Sequence, residues 1–596
     1  LNAANDRFFN LSLYVAIDKN GNPCDPTNVT PVAESTGKTC TEVRLNDVLA
    51  ALEDPTIFPT PDQTTAGPRW IQIGTEGGFL PAPAVIPAQP ITWVNDPTVF
   101  NAGNIDQHSL LLGPAERADA IVDFSAFAGY TLILYNDAPA AFPARDPRYD
   151  YYTGTGDYRD TGGAPSTLPG YGPNTRTIMQ IRVTNTAAAP AFNLVALQTA
   201  FKATTLGGLG VFANGQHPII VGQGAYNSAY GTSFQTNGPL DGLVQIYETS
   251  MTFATLSGVN VTMPFQPKMI QDEMGEAFDE EYGRMSGNLG VEAPNPQAGN
   301  QNMILYGFTS PPTEVINGVE LPPGVNFQRL DTQYAAADGT QIWKITHNGV
   351  DTHPIHFHLY DVQLLNRVGW DGIIRPPDAN ELGWKDTVRI SPLEDTIVAL
   401  RPLTPQLPWV LPNSVRLMDP SMPDGALIAS STLAEASGLV PMAFDPTGEP
   451  IDIYNHYVNY GAEYVWHCHI LSHEEMDMMR PVAVGFAPGT PTGLSAFQPG
   501  GVTGTEVILT WTDTAVNDTG YTIQRATDPL GLWATVGVVS LDITAAPATG
   551  VTMTYTDILD NSSTVYYYRV LANNVIADTW NYSDPNLNEE DRFPTL

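Results

Sequence analysis

The sequence predicts an all-β protein made of successive sandwiches, on three observations. Gly and Pro are abundant, at 52 and 51 of 596 residues. Charged residues make up only 15% of the chain against 42% hydrophobic ones. Between the turns, short runs alternate apolar and polar residues, the period of two that a half-buried strand needs. The length is enough for several domains with full cores.

Taken in order, residues 1–185 form one sandwich. Trp70 to Ile73, Ala120 to Phe124 and TIMQIRVTN (177–185) read as its strands rather than as sites. Residues 143–174, crowded with Tyr, Gly, Asp and Pro, read as a long ordered loop. Residues 186–268 form a linker with an insertion and Gly-rich turns. A second sandwich covers 269–487; it opens on the acidic stretch DEMGEAFDEEYGRM (272–285) and carries a Pro- and Met-rich insertion at 402–456. The acidic stretch reads as a solvated segment, with a cation entry site as the alternative because hard oxygen ligands suit Mn(II). After the linker APGTPTG (487–493), the runs VILTWTD, GYTIQRA and VYYYRVLANN alternate like strands of one small sandwich, 488–596. Its Trp511 and Tyr-rich late strand resemble a fibronectin type III module. Such a module implies adhesion, spacing or assembly rather than chemistry.

The chemistry is concentrated in two short stretches. YVWHCHILSHEEMDMMR (464–480) sets Cys468 between His467 and His469, with His473 five residues and Met478 ten residues beyond the cysteine. THPIHFHLY (352–360) supplies His353, His356 and His358. Thiolate, imidazole and a weak thioether are the ligands of a blue-copper centre. Successive residues of a strand face opposite ways, so His467 and His469 can serve a second metal site behind Cys468. Zinc fits poorly, because one tetrahedral ion cannot use so many imidazoles. His108, His217 and His456 have no metal-spaced neighbours and read as structural or exposed.

HPIHFHLYDVQLLNR, GWKDT (383–387) and YVWHCHILSHEEMDMMRPV resemble the last cupredoxin domain of the multicopper oxidases, in the spore-coat laccase and bilirubin oxidase group. The run from Val368 to Pro402 is more similar to large bacterial enzymes described as manganese oxidases. The resemblance extends over residues 1–487. It implies two cupredoxin-like Greek-key β-sandwich domains ahead of the fibronectin type III-like one. LNAANDRFFNLSLYV (1–15) resembles the interior of the second cupredoxin domain, which implies that a first domain precedes it.

By the same resemblance, His353, Cys468 and His473 hold a type 1 copper, with Met478 axial; Met476 and Met479 fit that position less well. His356 is implied as a type 2 ligand, and His358, His467 and His469 as type 3 ligands. Glu474 matches a carboxylate that assists proton delivery during oxygen reduction, its alternative being a solvated side chain. Asp386 is either a group orienting a ligand histidine or a surface residue. The family's trinuclear cluster takes eight histidines, so the resemblance leaves the other four to a missing N-terminal cupredoxin domain or a companion chain. The implied activity is transfer of single electrons from a reductant (a phenolic compound, Mn(II) or Fe(II)) through copper to dioxygen. The alternative is an extracellular structural or assembly subunit, or a one-copper electron carrier.

Composition bounds the setting. With 26 basic and 63 acidic residues, the formal charge of −37 argues against nucleic acid or an anionic membrane as partner. No run of about twenty apolar residues is present to span a membrane. Besides Cys468, only Cys24 and Cys40 occur, flanking a polar stretch rich in Pro and Thr. A disulfide between them is the expected state, two thiols the alternative. The disulfide implies an oxidising, extracytoplasmic compartment, secreted or cell-surface.

Overall fold

The computed structural model describes residues 7–576 apart from 29–38, 55, 141, 144–145, 187–189, 205–206, 234–242, 246–247, 255–259, 272–277, 280–283, 286–287, 294–302, 307–313, 318–339, 348, 350, 404–407, 433–451 and 476–477. Most of the acidic stretch 272–285 therefore lies outside the described residues. The chain is predominantly β, as its composition predicts. Two compact units are formed: Leu1–Leu289 with Val325–Arg401 and His467–Met478, and Gly290–Gly324 with Pro402–Trp466 and Met479–Leu596.

In the first unit, one sandwich is built from β1 (Phe9–Val15), β2 (Trp70–Thr75), β3 (Gly78–Ile86), β4 (Leu110–Leu112), β5 (Ala118–Val122), β6 (Thr131–Asn136) and β7 (Thr177–Arg182). Its sheets run β7-β6-β1-β4 and β3-β2-β5. Alternation explains the core: Phe9, Leu11 and Leu13 of β1 point inward against Leu80, Ala84 and Ile86 of β3. Each such side chain contributes about 1.5–3 kcal/mol on burial. The other face of β1 is also buried, so its polar residues need partners. Asn10 supplies them, donating to Asp137 Oδ1 at 2.6 Å and accepting from Ser109 N at 2.8 Å.

Residues 186–268, expected as linker and insertion, include short helices. The first, α1 (Leu194–Phe201), is capped by Asn193, and its Phe201 packs edge-on to Phe79 at 5.9 Å. Ile220, Val221, Val244, Met251 and Phe253 join Ile342, Leu365, Trp384 and Ile397 in one buried cluster. This stretch is thus part of the core of the next β layer.

Two sheets follow: one holds β8 (Asn260–Gln271), β9 (Gln341–His347), β11 (Tyr360–Gly369) and β13 (Glu394–Pro402), and the other holds β10 (His353–Phe357) and β12 (Thr387–Ile390). β8 and β9 pair parallel, while β9 pairs antiparallel with β13 and β10 with β12.

In the second unit, the last sandwich has two three-stranded sheets around Trp511, Leu509, Tyr521 and Ile523. Asparagines tie it to neighbouring segments of the same unit. Asn413 Nδ2 donates to Asn517 O at 3.0 Å, and Asn459 Nδ2 donates to Val575 O at 2.6 Å. No helix among the described residues is long and apolar enough to cross a membrane.

Candidate metal centre

Both histidine-bearing stretches meet in the first unit. On β10, His353 faces one way, and His356, with His358 just beyond the strand, faces the other. The segment running through Cys468 is aligned against it by the His469 amide, which donates to Pro354 O at 2.8 Å. Cys468 therefore reaches His353, while His467 and His469 reach His356 and His358. The period of two along extended chain separates one histidine-rich surface into two metal groups.

The first group is fully buried. His353 Nδ1 lies 3.3 Å from Cys468 Sγ, His473 Nδ1 lies 3.6 Å from the same sulfur, and the two Nδ1 atoms are 3.3 Å apart. Ile470 N approaches Sγ at 3.5 Å, the geometry of an amide donating to a thiolate. His473 sits on a single helical turn, Leu471–Glu475. Met478 is fully buried; its amide donates to His473 O and its carbonyl accepts from Cys468 N. Two imidazole nitrogens and a thiolate converging inside an apolar shell fit a soft, single-electron metal ion.

The second group unites His356, His358 and His467, whose ring nitrogens lie within 4.8 Å of one another. His358 Nε2 and His467 Nε2 are 3.3 Å apart, and the His469 ring lies 5.2 Å from that of His467. Burial, reinforced by the neighbouring imidazoles, lowers His467 to about 4 and lowers His358 as well. Both are therefore neutral near pH 7, the form that binds metal.

Asp386 stands at this second group. Its backbone carbonyl lies 3.0 Å from His356 Nδ1, and Thr387 Oγ1 lies 3.1 Å from the same atom. Burial would raise the Asp386 carboxyl, but hydrogen bonds from His356, Arg117 and Thr387 outweigh it and hold it below the usual carboxylate range. Glu474 places Oε1 3.9 Å from His467 Nδ1 and Oε2 3.9 Å from His469 Nδ1, close to the group without a direct hydrogen bond. Cys24 and Cys40 are joined in a disulfide elsewhere in the unit. His108 pairs with Asp378, His217 with Asp361, and His456 with the Tyr454 carbonyl. Met476 lies outside the described residues.

Three further residues also belong to the surroundings. His347 is fully buried with its ring 5.0 Å from that of His353; its Nδ1 accepts from Gly349 N, so Nε2 carries the proton donated to Asp351 O. Arg117 and Thr387 both hold Asp386. Thr387 closes the GWKDT stretch, whereas only its nearness to the histidine motif could have marked His347.

A family model described as multicopper oxidase matches residues 296–411. A laccase of Haloferax volcanii is 28% identical over 151 residues, 25% of this chain and 16% of that protein. A laccase of Bacillus subtilis is 27% identical over 158 residues, 24% of this chain and 20% of that protein. The chain thus carries a multicopper oxidase domain match. Copper is the cofactor this domain implies, and the buried His353–Cys468–His473 group fits a type 1 site.

A further relative, the rice multicopper oxidase LPR1 homolog 3, is 24% identical over 42% of each chain. The chain spans under half the length of these curated relatives. Among solved structures, a multicopper oxidase of Aquifex aeolicus aligns over 71% of this chain and 51% of its own, with 16% identity and a TM-score of 0.29.

Proposed function

We propose that the chain is the C-terminal part of an oxidase that collects single electrons at a type 1 copper and delivers them to a trinuclear cluster reducing dioxygen to two waters. One observation carries this reading. Cys468 Sγ lies 3.3 and 3.6 Å from two imidazoles, while the adjacent His467 lies 3.3 Å from His358. A few covalent bonds therefore join the two groups.

Copper, when bound, supplies one-electron redox chemistry. The chain supplies the ligands, the buried thiolate and the exclusion of water around it. His356, His358, His467 and His469 would be half of the cluster's donors, the others coming from an N-terminal cupredoxin segment outside this sequence. Glu474, beside His467 and His469, is positioned to pass protons to reduced oxygen; four electrons and four protons convert O2 to two waters.

Met478, were its thioether to join a copper held by His353, Cys468 and His473, would lower the potential relative to a non-coordinating residue. That favours a phenolic reductant or Fe(II) over Mn(II), in line with the two relatives named laccases. The last sandwich is read as a fibronectin type III-like module for assembly outside the cytoplasm.

Copper content, optical spectra and EPR on natively purified protein test the proposal, with a gel for a companion polypeptide. About four coppers, an intense blue band and a companion piece are expected. One blue copper alone would replace the reading with an electron carrier, and no copper with a structural subunit. Steady-state oxidation of a phenol beside Mn(II) tests the substrate order.

A further inference from the structure

The surroundings of His356 reach into the first sandwich. Arg117, in the turn between β4 and β5, donates from Nη1 to Asp386 Oδ1 at 3.2 Å and from Nη2 to Oδ2 at 2.6 Å. Thr387 Oγ1 donates to Asp386 Oδ1 at 2.8 Å, which turns the threonine's lone pairs toward His356 Nδ1. His356 Nδ1 therefore faces only acceptors: the Asp386 carbonyl, the Thr387 oxygen and, at 3.4 Å, the Asp386 carboxylate. That arrangement puts the ring proton on Nδ1 and leaves the Nε2 lone pair for a metal.

Arg117 is itself fixed. Its amide donates to Glu76 Oε2 at 3.2 Å, and Glu76 Oε1 accepts from Lys385 Nζ at 3.0 Å. Glu116, next to Arg117, bridges Lys385 at 3.2 Å and Arg389 at 3.3 Å. Burial works against the charge on Lys385, yet Glu76 and Glu116 hold its ammonium well above the ordinary range. The turn 113–117 and the strand 385–389 are thus locked in register.

We propose that Arg117, acting through Asp386 and Thr387, is a positioning residue that sets the tautomer and orientation of His356 at the second copper group. The inference rests on the reading of His356 as a copper ligand. Its guanidinium is half exposed, so the ion pair adds little to stability. What it contributes is direction, by a bidentate fork that lysine cannot reproduce.

The test compares the full chain with Arg117→Leu and Arg117→Lys. Selective 15N labelling of histidine reads the ring tautomer without any metal, with His356 identified by its loss in His356→Gln. Cu(II) titration followed by EPR then reads the non-blue site, with the blue band as an internal control. The wild type is expected to show an Nδ1–H tautomer. Arg117→Leu should give a tautomer mixture and bind non-blue Cu(II) about 10- to 100-fold more weakly, with the blue band intact and Arg117→Lys in between. An unchanged tautomer and affinity in Arg117→Leu would overturn the proposal. So would parallel loss of the blue band, which would make Arg117 a general fold residue. Should the wild type take up blue copper alone, the oxidase reading fails, and the tautomer spectrum still decides the positioning role.

Discussion

Cys468 is the residue on which the two metal groups depend. Its sulfur closes the first group, and of its flanking histidines His467 enters the second, with the His469 ring beside it. Cys468→Ser is expected to abolish the blue band and remove one equivalent of copper, while the non-blue EPR signal persists; metal analysis and spectra on the same sample check this. A second residue-scale prediction concerns Asp137, away from the metal groups. Burial, partly offset by hydrogen bonds from Ile91 N and Asn10, raises its carboxyl from 3.8 to about 6. The folded state thus favours the protonated form, so its stability falls as pH rises from about 4 through about 6. Two pH units correspond to about 3 kcal/mol. Asp137→Asn lacks this titration, so its stability relative to wild type should rise by about 2–3 kcal/mol across that window in urea unfolding. A flat difference would show that Asp137 is ionised throughout.

At the scale of elements, the decisive contact is between the β2–β3 turn and the segment leading into β12. A Cβ on Gly77 would stand 2.4 Å from the Trp384 carbonyl carbon, closer than any real contact. Gly77→Ala must push Trp384 and Lys385 away, and with them Asp386 and Thr387. A loss of about 1–3 kcal/mol in unfolding free energy is expected, together with weaker non-blue copper binding. Wild-type copper affinity in that variant would show that the 384–387 segment moves independently of His356. The Cys24–Cys40 bridge, with a sequence separation of 16, closes a loop in the first sandwich. Its reduction should lower stability by about 3 kcal/mol, seen as a lower Tm with the blue band retained. Strands such as TIMQIRVTN (177–185) were legible from alternation. The helices within 186–268 were not, because α1 is short and is stabilised by packing against Phe79 rather than by a strong helical pattern.

For the whole molecule, a formal charge of −37 sets the balance. Self-repulsion of so many carboxylates disfavours the compact state at low ionic strength. The Tm should therefore rise on going from a few millimolar salt to about 0.15 M, where the Debye length is about 8 Å. A falling Tm would show that exposed ion pairs that salt screens, such as Arg159 with Asp157, outweigh the repulsion. The pairs of Lys385 with Glu76 and Glu116 are buried and screened little, so they do not enter this balance.

The sequence by itself determined the ligand chemistry. Donor types and their spacing are local properties, and the two-residue repeat of a strand sets His467 and His469 on the face opposite Cys468 before any packing is known. It determined the β class for the same reason, since alternation and turn residues are written locally. Only the tertiary structure decided what surrounds those ligands. Arg117 meets Asp386 across 269 residues, and Glu116 reaches Lys385 and Arg389. Such pairings depend on how the two sandwiches dock. Docking is set by buried ion pairs and a glycine contact that leave no periodic mark along the chain.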